Sequence, residues 1–325
     1  MARSRWGMTD GRSHYERNRV TGIWKLSQPS GAGSGMAVRQ GPLRARIKSV
    51  SAWSALIPFF VFGMALEIVP IVTVIASSFR IEGVWPTLEN YREATAPLIT
   101  RSFLNTIELS AATASLGVIL GTLISQAIVT SPNRHIREAT TALADVATNF
   151  GGAPLAFAFI VTLGSTGVVT QVLLQIFGIA LYPGFRIYSI SGLVLAYLYF
   201  QMPLMVLLIQ PSLLGLRREW REASLTLGAS TLQYWLRIGL PILAPALLGG
   251  FLLLFAHSFG AYATAWTLTG PDINLVTIQI AALIRGEVQL QPGIADAMAT
   301  VSLGIMALCV AGYQWASTRA GRWME

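Results

Sequence analysis

Apolar positions along this chain run together in long blocks. Six windows are dominated by them, 53–78, 103–129, 143–163, 192–213, 242–263 and 297–316. A helix needs about 20 mostly apolar residues to cross the hydrocarbon of a bilayer, so each window predicts one crossing. A shorter apolar run, 168–181, lies between the third and fourth. As a helix it would reach only about 21 Å, too short to cross comfortably. Gln171 and Gln175 fall one turn apart and give it a polar edge, and Tyr182-Pro183-Gly184 stops it. It reads as an interfacial helix. The pattern predicts an all-α membrane protein with six transmembrane helices.

Composition agrees. The chain is 53% hydrophobic and 12% charged, about half the charge of an ordinary soluble domain, which argues against a cytosolic enzyme. The net charge of +8 does not point to nucleic acid, because the basic residues cluster between uncharged stretches. With six crossings and the N-terminus inside, 18 Lys/Arg fall on inside segments. Five fall outside: Arg80, Arg92, Arg101, Arg186 and Arg285. That asymmetry follows the positive-inside rule and predicts both termini in the cytoplasm. A seventh crossing at 168–181 would move Arg217, Arg218, Arg221 and Arg237 outside, so it is rejected.

Residues 1–50 form a separate region. They hold 10 Lys/Arg and a Gly/Ser-rich stretch at 27–41, a composition that predicts a disordered cytoplasmic tail. Residues 51–325 form the membrane domain. The first apolar run is too long for a cleaved signal and reads as an anchor. Met36 opens a short basic leader, MAVRQGPLRARIK, and is a candidate translation start. A single cysteine, Cys309, excludes an internal disulfide, and His14, His135 and His257 are too scattered for a metal cage.

The segment 215–241 between the fourth and fifth windows is longer than a minimal loop. RREWREASL at 217–225 is a good helix former. Gly228-Ala229-Ser230 breaks it, Gly by access to the left-handed conformation. Ser230 suits the N-cap of a second helix over 231–238, and Pro241 marks where the fifth crossing begins. The result is a helix–turn–helix on the cytoplasmic side, with an acid (Glu222), small residues (Ala223, Ser224) and apolar residues (Leu225, Leu227) on its surface. Such a surface suits a partner rather than a substrate cleft.

These residues resemble a known family. Glu222-Ala223-Ser224, three residues to Gly228, then nine to Ile238-Gly239-Leu240-Pro241 resemble the EAA loop of ABC-importer permeases. That pattern reads E-A-A, three residues, G, nine residues, I-x-L-P. All spacings match, and the one departure is Ser224 where the family has Ala. Ser is small, so the close packing is expected to survive.

The resemblance implies that 215–241 is a coupling helix–turn–helix seated in a groove of an ATP-binding subunit. Glu222 would pair with a basic group there or brace the loop, and Gly228 would supply the turn. The plainer reading pairs Glu222 with Arg218 at i−4 on a solvated helix. No G-x-x-x-x-G-K-[ST] occurs in the chain. No catalytic residue and no bound cofactor or metal is therefore expected, with ATP and Mg used by the partner. The implied assembly is a binding-protein-dependent importer in the cytoplasmic (inner) membrane of a prokaryote. Its parts are two ATP-binding subunits, a second permease (a different chain favoured over a second copy), an extracytoplasmic solute-binding protein and membrane lipid, without nucleic acid. The binding protein would meet 80–102 and 264–291. The segments 149–154 and 259–262 look like the branch serving polyamines, iron, thiamine and phosphonates, so a polyamine-like solute is expected.

Polar groups at membrane depth usually face a cavity or a partner. His257, Ser258, Tyr262, Asn149 and Gln201 are candidates for a solute path, or else helix–helix hydrogen bonds. An ion-coupled secondary transporter using Glu67 is the alternative; it leaves 215–241 unexplained and lacks visible repeats. An intramembrane hydrolase fails because Ser258 and His257 are adjacent and diverge by about 100° on a helix.

Overall fold

The computed structural model describes residues 56–81, 84–286 and 291–321, and among them it contains helices and no strand. Residues 1–60 and 61–325 form separate units. The expected tail over 1–50 and the candidate start at Met36 lie outside the described residues.

The helices, in order, are α1 (Ile57–Ser78), α2 (Glu89–Glu93), α3 (Pro97–Thr130) and α4 (Arg134–Asn149), followed by α5 (Gly152–Leu163), α6 (Val168–Phe177) and α7 (Ile190–Leu214). Then come α8 (Arg218–Thr226), α9 (Thr231–Phe259), α10 (Tyr262–Thr269), α11 (Val276–Arg285) and α12 (Pro292–Gly321). Six helical runs are long and apolar enough to cross a membrane: α1, α3, Gly152–Phe177, α7, α9 and Pro292–Arg319. The chain is thus a multi-pass membrane protein, as the apolar windows predict.

Alpha-3 shows how the sequence builds the interior. Its buried face is mostly small or polar, with Ser102, Thr106, Ser110, Thr113, Ala114, Gly117, Gly121 and Ser125 alongside Ile99, Leu109 and Ile128. Its exposed face carries Leu104, Ile107, Leu116, Ile119 and Leu123. In lipid no hydrophobic drive turns leucine inward, whereas small residues let helix backbones approach closely. At Gly121 a Cβ would come within 2.6 Å of Met205 Cβ and 2.9 Å of the Met202 carbonyl oxygen, both on α7. At Gly117 it would meet Leu254 of α9 at 2.8 Å. Alpha-9 packs on α12 in the same way, with Gly249 against Tyr313 and Gly312 against Leu252. The core fills around this junction with Met205, Ile209, Leu243 and Leu254. Toward the other end it continues through Leu155, Leu193, Tyr197, Phe200 and Leu268.

Asn90 on α2 is a clamp. It is buried, and its Nδ2 donates to the carbonyls of Ser78 (2.9 Å) and Arg80 (3.1 Å). Gly293, at the start of α12, lies so close that a Cβ there would stand 2.7 Å from Asn90 Oδ1. The turn after α1 is thereby tied to the last helix.

Three boundaries differ from the sequence expectation. The window 143–163 is not one helix: α4 ends at Asn149, Gly151 is extended, and Gly152 sits at φ +71°, in the left-handed region. The run 168–181 stops at Phe177, because Gly178 (φ +66°) caps α6 before Tyr182-Pro183-Gly184 is reached. Alpha-6 is part of the third long apolar run, Gly152–Phe177, whereas the sequence pattern predicts an interfacial helix there and a crossing at 143–163. It leaves from the end of α5, and Tyr182 Oη returns there to donate to the Leu163 carbonyl at 3.1 Å. The window 242–263 ends early, at Phe259; Gly260 and Ala261 separate it from α10, so Tyr262 lies on a different helix from His257 and Ser258.

Candidate functional site

The segment 215–241 folds as a helix, a turn and a second helix. Alpha-8 closes with a double-bonded turn: Ala229 N donates to the Ser224 carbonyl (3.0 Å) and Gly228 N to that of Leu225 (2.9 Å). Gly228, at φ +82°, takes the left-handed position that this closure requires. Ser230 then caps α9 reciprocally: its Oγ accepts from Gln233 N (3.2 Å), and Gln233 Oε1 accepts from Ser230 N (2.8 Å).

Pro241 does not begin a new helix. Alpha-9 runs through it from Thr231, with a π-helical turn at Trp235–Gly239 just before it. A proline has no N–H and its ring crowds the carbonyl four residues back, and the wider turn accommodates both. Alpha-1 repeats the device, with a π turn at Met64–Ile68 ahead of Pro70. Ile238, Leu240 and Pro241 therefore belong to one continuous rod leading into the membrane domain.

On the surface of this segment Glu222, Ala223, Leu225 and Leu227 are exposed, Leu227 at 87%, together with Leu232 and Leu236. Ser224 is buried, and its Oγ donates to the Arg221 carbonyl at 2.7 Å. The hydroxyl in place of the family's methyl is thus satisfied within its own helix. Among the described residues Glu222 forms no ion pair with Arg218; the two ion pairs there are Arg92–Glu89 and Arg134–Glu138.

The five polar path candidates do not converge. Gln201 and Ser258 are brought together by a residue that the sequence reading passed over, Thr113. Its Oγ1 lies 3.0 Å from Ser258 Oγ and accepts from Gln201 Nε2 at 3.2 Å. The three groups are buried where α3, α7 and α9 meet, and Gln201 Oε1 has no hydrogen-bond partner there. The available signal was the Ser102, Thr106, Ser110, Thr113 stripe at helical spacing. His257 is exposed on the other side of α9, edge-on to Phe200 with ring centroids 5.1 Å apart. Asn149 is exposed at the end of α4, its Nδ2 donating to the Asp145 carbonyl at 2.9 Å. Tyr262 stacks on Trp266 with centroids 6.0 Å apart, and the Arg285 guanidinium lies over both rings. Glu67 is exposed within the π turn of α1. Among the described residues no group of three or more His, Cys, Asp or Glu could hold a metal ion.

No family model matches the sequence. A probable sulfate transport system permease protein of Helicosporidium sp. subsp. Simulium jonesii is 27% identical over 178 residues, covering 55% of this chain and 63% of that protein. A molybdenum transport system permease protein of Mycobacterium tuberculosis is 25% identical over 240 residues, 73% of this chain and 83% of that protein. A putative ferric transport system permease protein of Haemophilus influenzae is 28% identical over 159 residues, 49% of this chain and 24% of that protein. The alignments thus span less than two thirds of the sulfate relative and a quarter of the ferric one. The fold is that of a subunit in the crystal structure of a bacterial ABC transporter involved in the import of the acidic polysaccharide alginate. The TM-score is 0.61 at 16% identity, over 87% of this chain and 99% of that one. The resemblance to ABC-importer permeases carried by 222–241 is borne out by these relatives. Their names lend the polyamine-like expectation no support.

Proposed function

We propose that this chain is the membrane-spanning permease subunit of an ATP-driven, binding-protein-dependent ABC importer. The observation that carries the reading is the exposed helix–turn–helix at 215–241, whose residues match the EAA spacing and whose leucines stand free of the chain's own core. An isolated leucine on a surface needs no explanation, but Leu225, Leu227, Leu232 and Leu236 clustered beside Glu222 suit a docking face.

In this reading 215–241 faces the cytoplasm with both termini, in keeping with the basic residues concentrated on that side. Alpha-8 seats on an ATP-binding subunit, which alone uses ATP and Mg. Movement of α8 reaches α9 through the capped turn at Ser230. Alpha-9 carries it as a continuous rod toward Ser258 and the polar junction with Thr113 and Gln201. A second permease subunit completes the pathway, with His257 on a face of α9 left open by this chain. An extracytoplasmic binding protein delivers the solute, and the membrane is the cytoplasmic membrane of a prokaryote. The solute favoured is a small inorganic ion, in line with the sulfate, molybdenum and ferric relatives.

The test is mass spectrometry of what co-purifies with the tagged chain in mild detergent, for the wild type and for Glu222→Lys. An ATP-binding subunit is expected with the wild type. Its retention should fall at least about tenfold in the variant, since reversing a charge at a polar contact sets like charges against each other. A folded, monodisperse chain that retains no such subunit would overturn the reading.

A further inference from the structure

Beside α8 lies a cleft of about 700 Å³, which the coupling segment lines in part with Glu222 and Leu225 and which the solute path does not use. Four arginines line it: Arg137 from α4, Arg217 before α8, and Arg218 and Arg221 on α8. One carboxylate, Glu222, shares the lining. Among the described residues none of the four arginines is ion-paired; Arg217 lies over the Trp220 ring, 5.8 Å from its centroid. Four guanidiniums around one open space repel each other, and an anion between them would reverse the sign of that interaction. Guanidinium is the side chain whose planar fork matches a phosphate, with two parallel hydrogen bonds to two oxygens.

The position of the cleft narrows the choice of anion. Its walls include the last residues of α3 (Val129, Thr130), the end of α7 (Leu213) and the opening of α9 (Tyr234, Trp235). Three membrane-crossing helices therefore end around it, which sets it at the level of the lipid headgroups. Tyr and Trp are the residues that favour that level. The leucines and valine beside the arginines provide an apolar floor that a free phosphate would not use but an acyl chain would.

We propose that this cleft binds the phosphate headgroup of an anionic phospholipid, with Arg137 of α4 and Arg221 of α8 as principal ligands. Basic pockets between transmembrane helices are suited to such headgroups. The proposal stands whether or not α8 docks an ATP-binding subunit. If both hold, the lipid touches the coupling segment directly, through Arg218 and Arg221.

The test uses the full chain, purified in mild detergent and stripped of lipid. Dioleoyl-phosphatidylglycerol, dioleoyl-phosphatidylcholine and inorganic phosphate are titrated separately, and occupancy is read by native mass spectrometry. Each basic residue near an anionic headgroup is worth about fivefold in affinity. Phosphatidylglycerol should therefore bind at least about thirtyfold more tightly than phosphatidylcholine, and Arg137→Gln with Arg221→Gln should remove about thirtyfold of that preference. The Arg137→Lys, Arg221→Lys pair should keep it within about fivefold, which guards against a misfolded glutamine variant. Arg186→Gln, away from the cleft, should leave the lipid preference unchanged. Equal binding of the two lipids would overturn the proposal. So would unchanged preference in the glutamine pair, or inorganic phosphate binding as tightly as phosphatidylglycerol. Loss of a co-purifying protein with no change in lipid would assign these arginines to a protein contact and overturn it as well.

Discussion

Gly121→Ala tests the packing of α3 on α7 at the point of tightest approach. Replacing a helical glycine with alanine by itself favours the folded state by up to about 1 kcal/mol, through backbone entropy. At Gly121 the added methyl would stand 2.6 Å from Met205 Cβ and 2.9 Å from the Met202 carbonyl oxygen. Ordinary contact begins at 3.4 Å, so the helices must part by about 0.8 Å. Neither obstacle is the tip of a flexible side chain, so a rotamer change cannot relieve it. Overpacking of this kind costs about 1–3 kcal/mol and outweighs the propensity gain. Two comparisons isolate the cause. At Gly250 the methyl would meet only the Sδ and Cε of Met205, which can swing away, so Gly250→Ala should be milder. At Gly304, where nothing lies within 4 Å, alanine should be neutral or slightly stabilising. The assay is thermal unfolding of the purified chain in one detergent, with ranking Gly121→Ala below Gly250→Ala below Gly304→Ala. Equal stability of the Gly121 and Gly304 variants would refute the close approach.

Two further outcomes are expected. Ser230→Ala removes the side-chain acceptor of the reciprocal cap, at a cost of about 1 kcal/mol; amides 231–234 should exchange about fivefold faster, and Ser230→Asp should restore protection. A double-mutant cycle of Thr113→Val and Ser258→Ala should give a coupling of about 0.6 kcal/mol and no more than about 1.7, as for other hydrogen bonds between membrane helices. Zero coupling by unfolding would mean that the 3.0 Å contact contributes nothing.

Element existence was legible in the sequence where apolar length decides it, as in α1, α3, α7 and α12. The coupling segment was legible for a different reason: Gly228 and Ser230 are local devices whose chemistry acts within a few residues. What hydropathy cannot register is whether an apolar stretch is continuous. Residues 143–163 have the same composition whether or not Gly152 turns left-handed, and that choice depends on α10 beside it, where Thr264 Oγ1 donates to the Gly152 carbonyl at 3.3 Å. The same holds at Gly260, where the chain turns from α9 into α10. Of the candidate path residues, the sequence could nominate Gln201 and Ser258 as polar groups at depth. Their meeting at Thr113 is a tertiary fact, set by the glycines that let α3, α7 and α9 approach.

The π turns ahead of Pro70 and Pro241 have a further consequence for reading this chain. A π turn inserts one residue into the helical count, which rotates everything beyond it by about 100° relative to an uninterrupted α-helix. A helical wheel drawn from the capped turn at Ser230 therefore misassigns every face of α9 past Gly239. Ser258 pointing inward and His257 outward is the phase seen after that offset. Deleting a single residue within 235–239 would re-index the whole crossing, whereas the same deletion in an ordinary loop would leave the helix phase untouched. For α9 the indel, rather than the substitution, is the change to which the membrane interior is most sensitive.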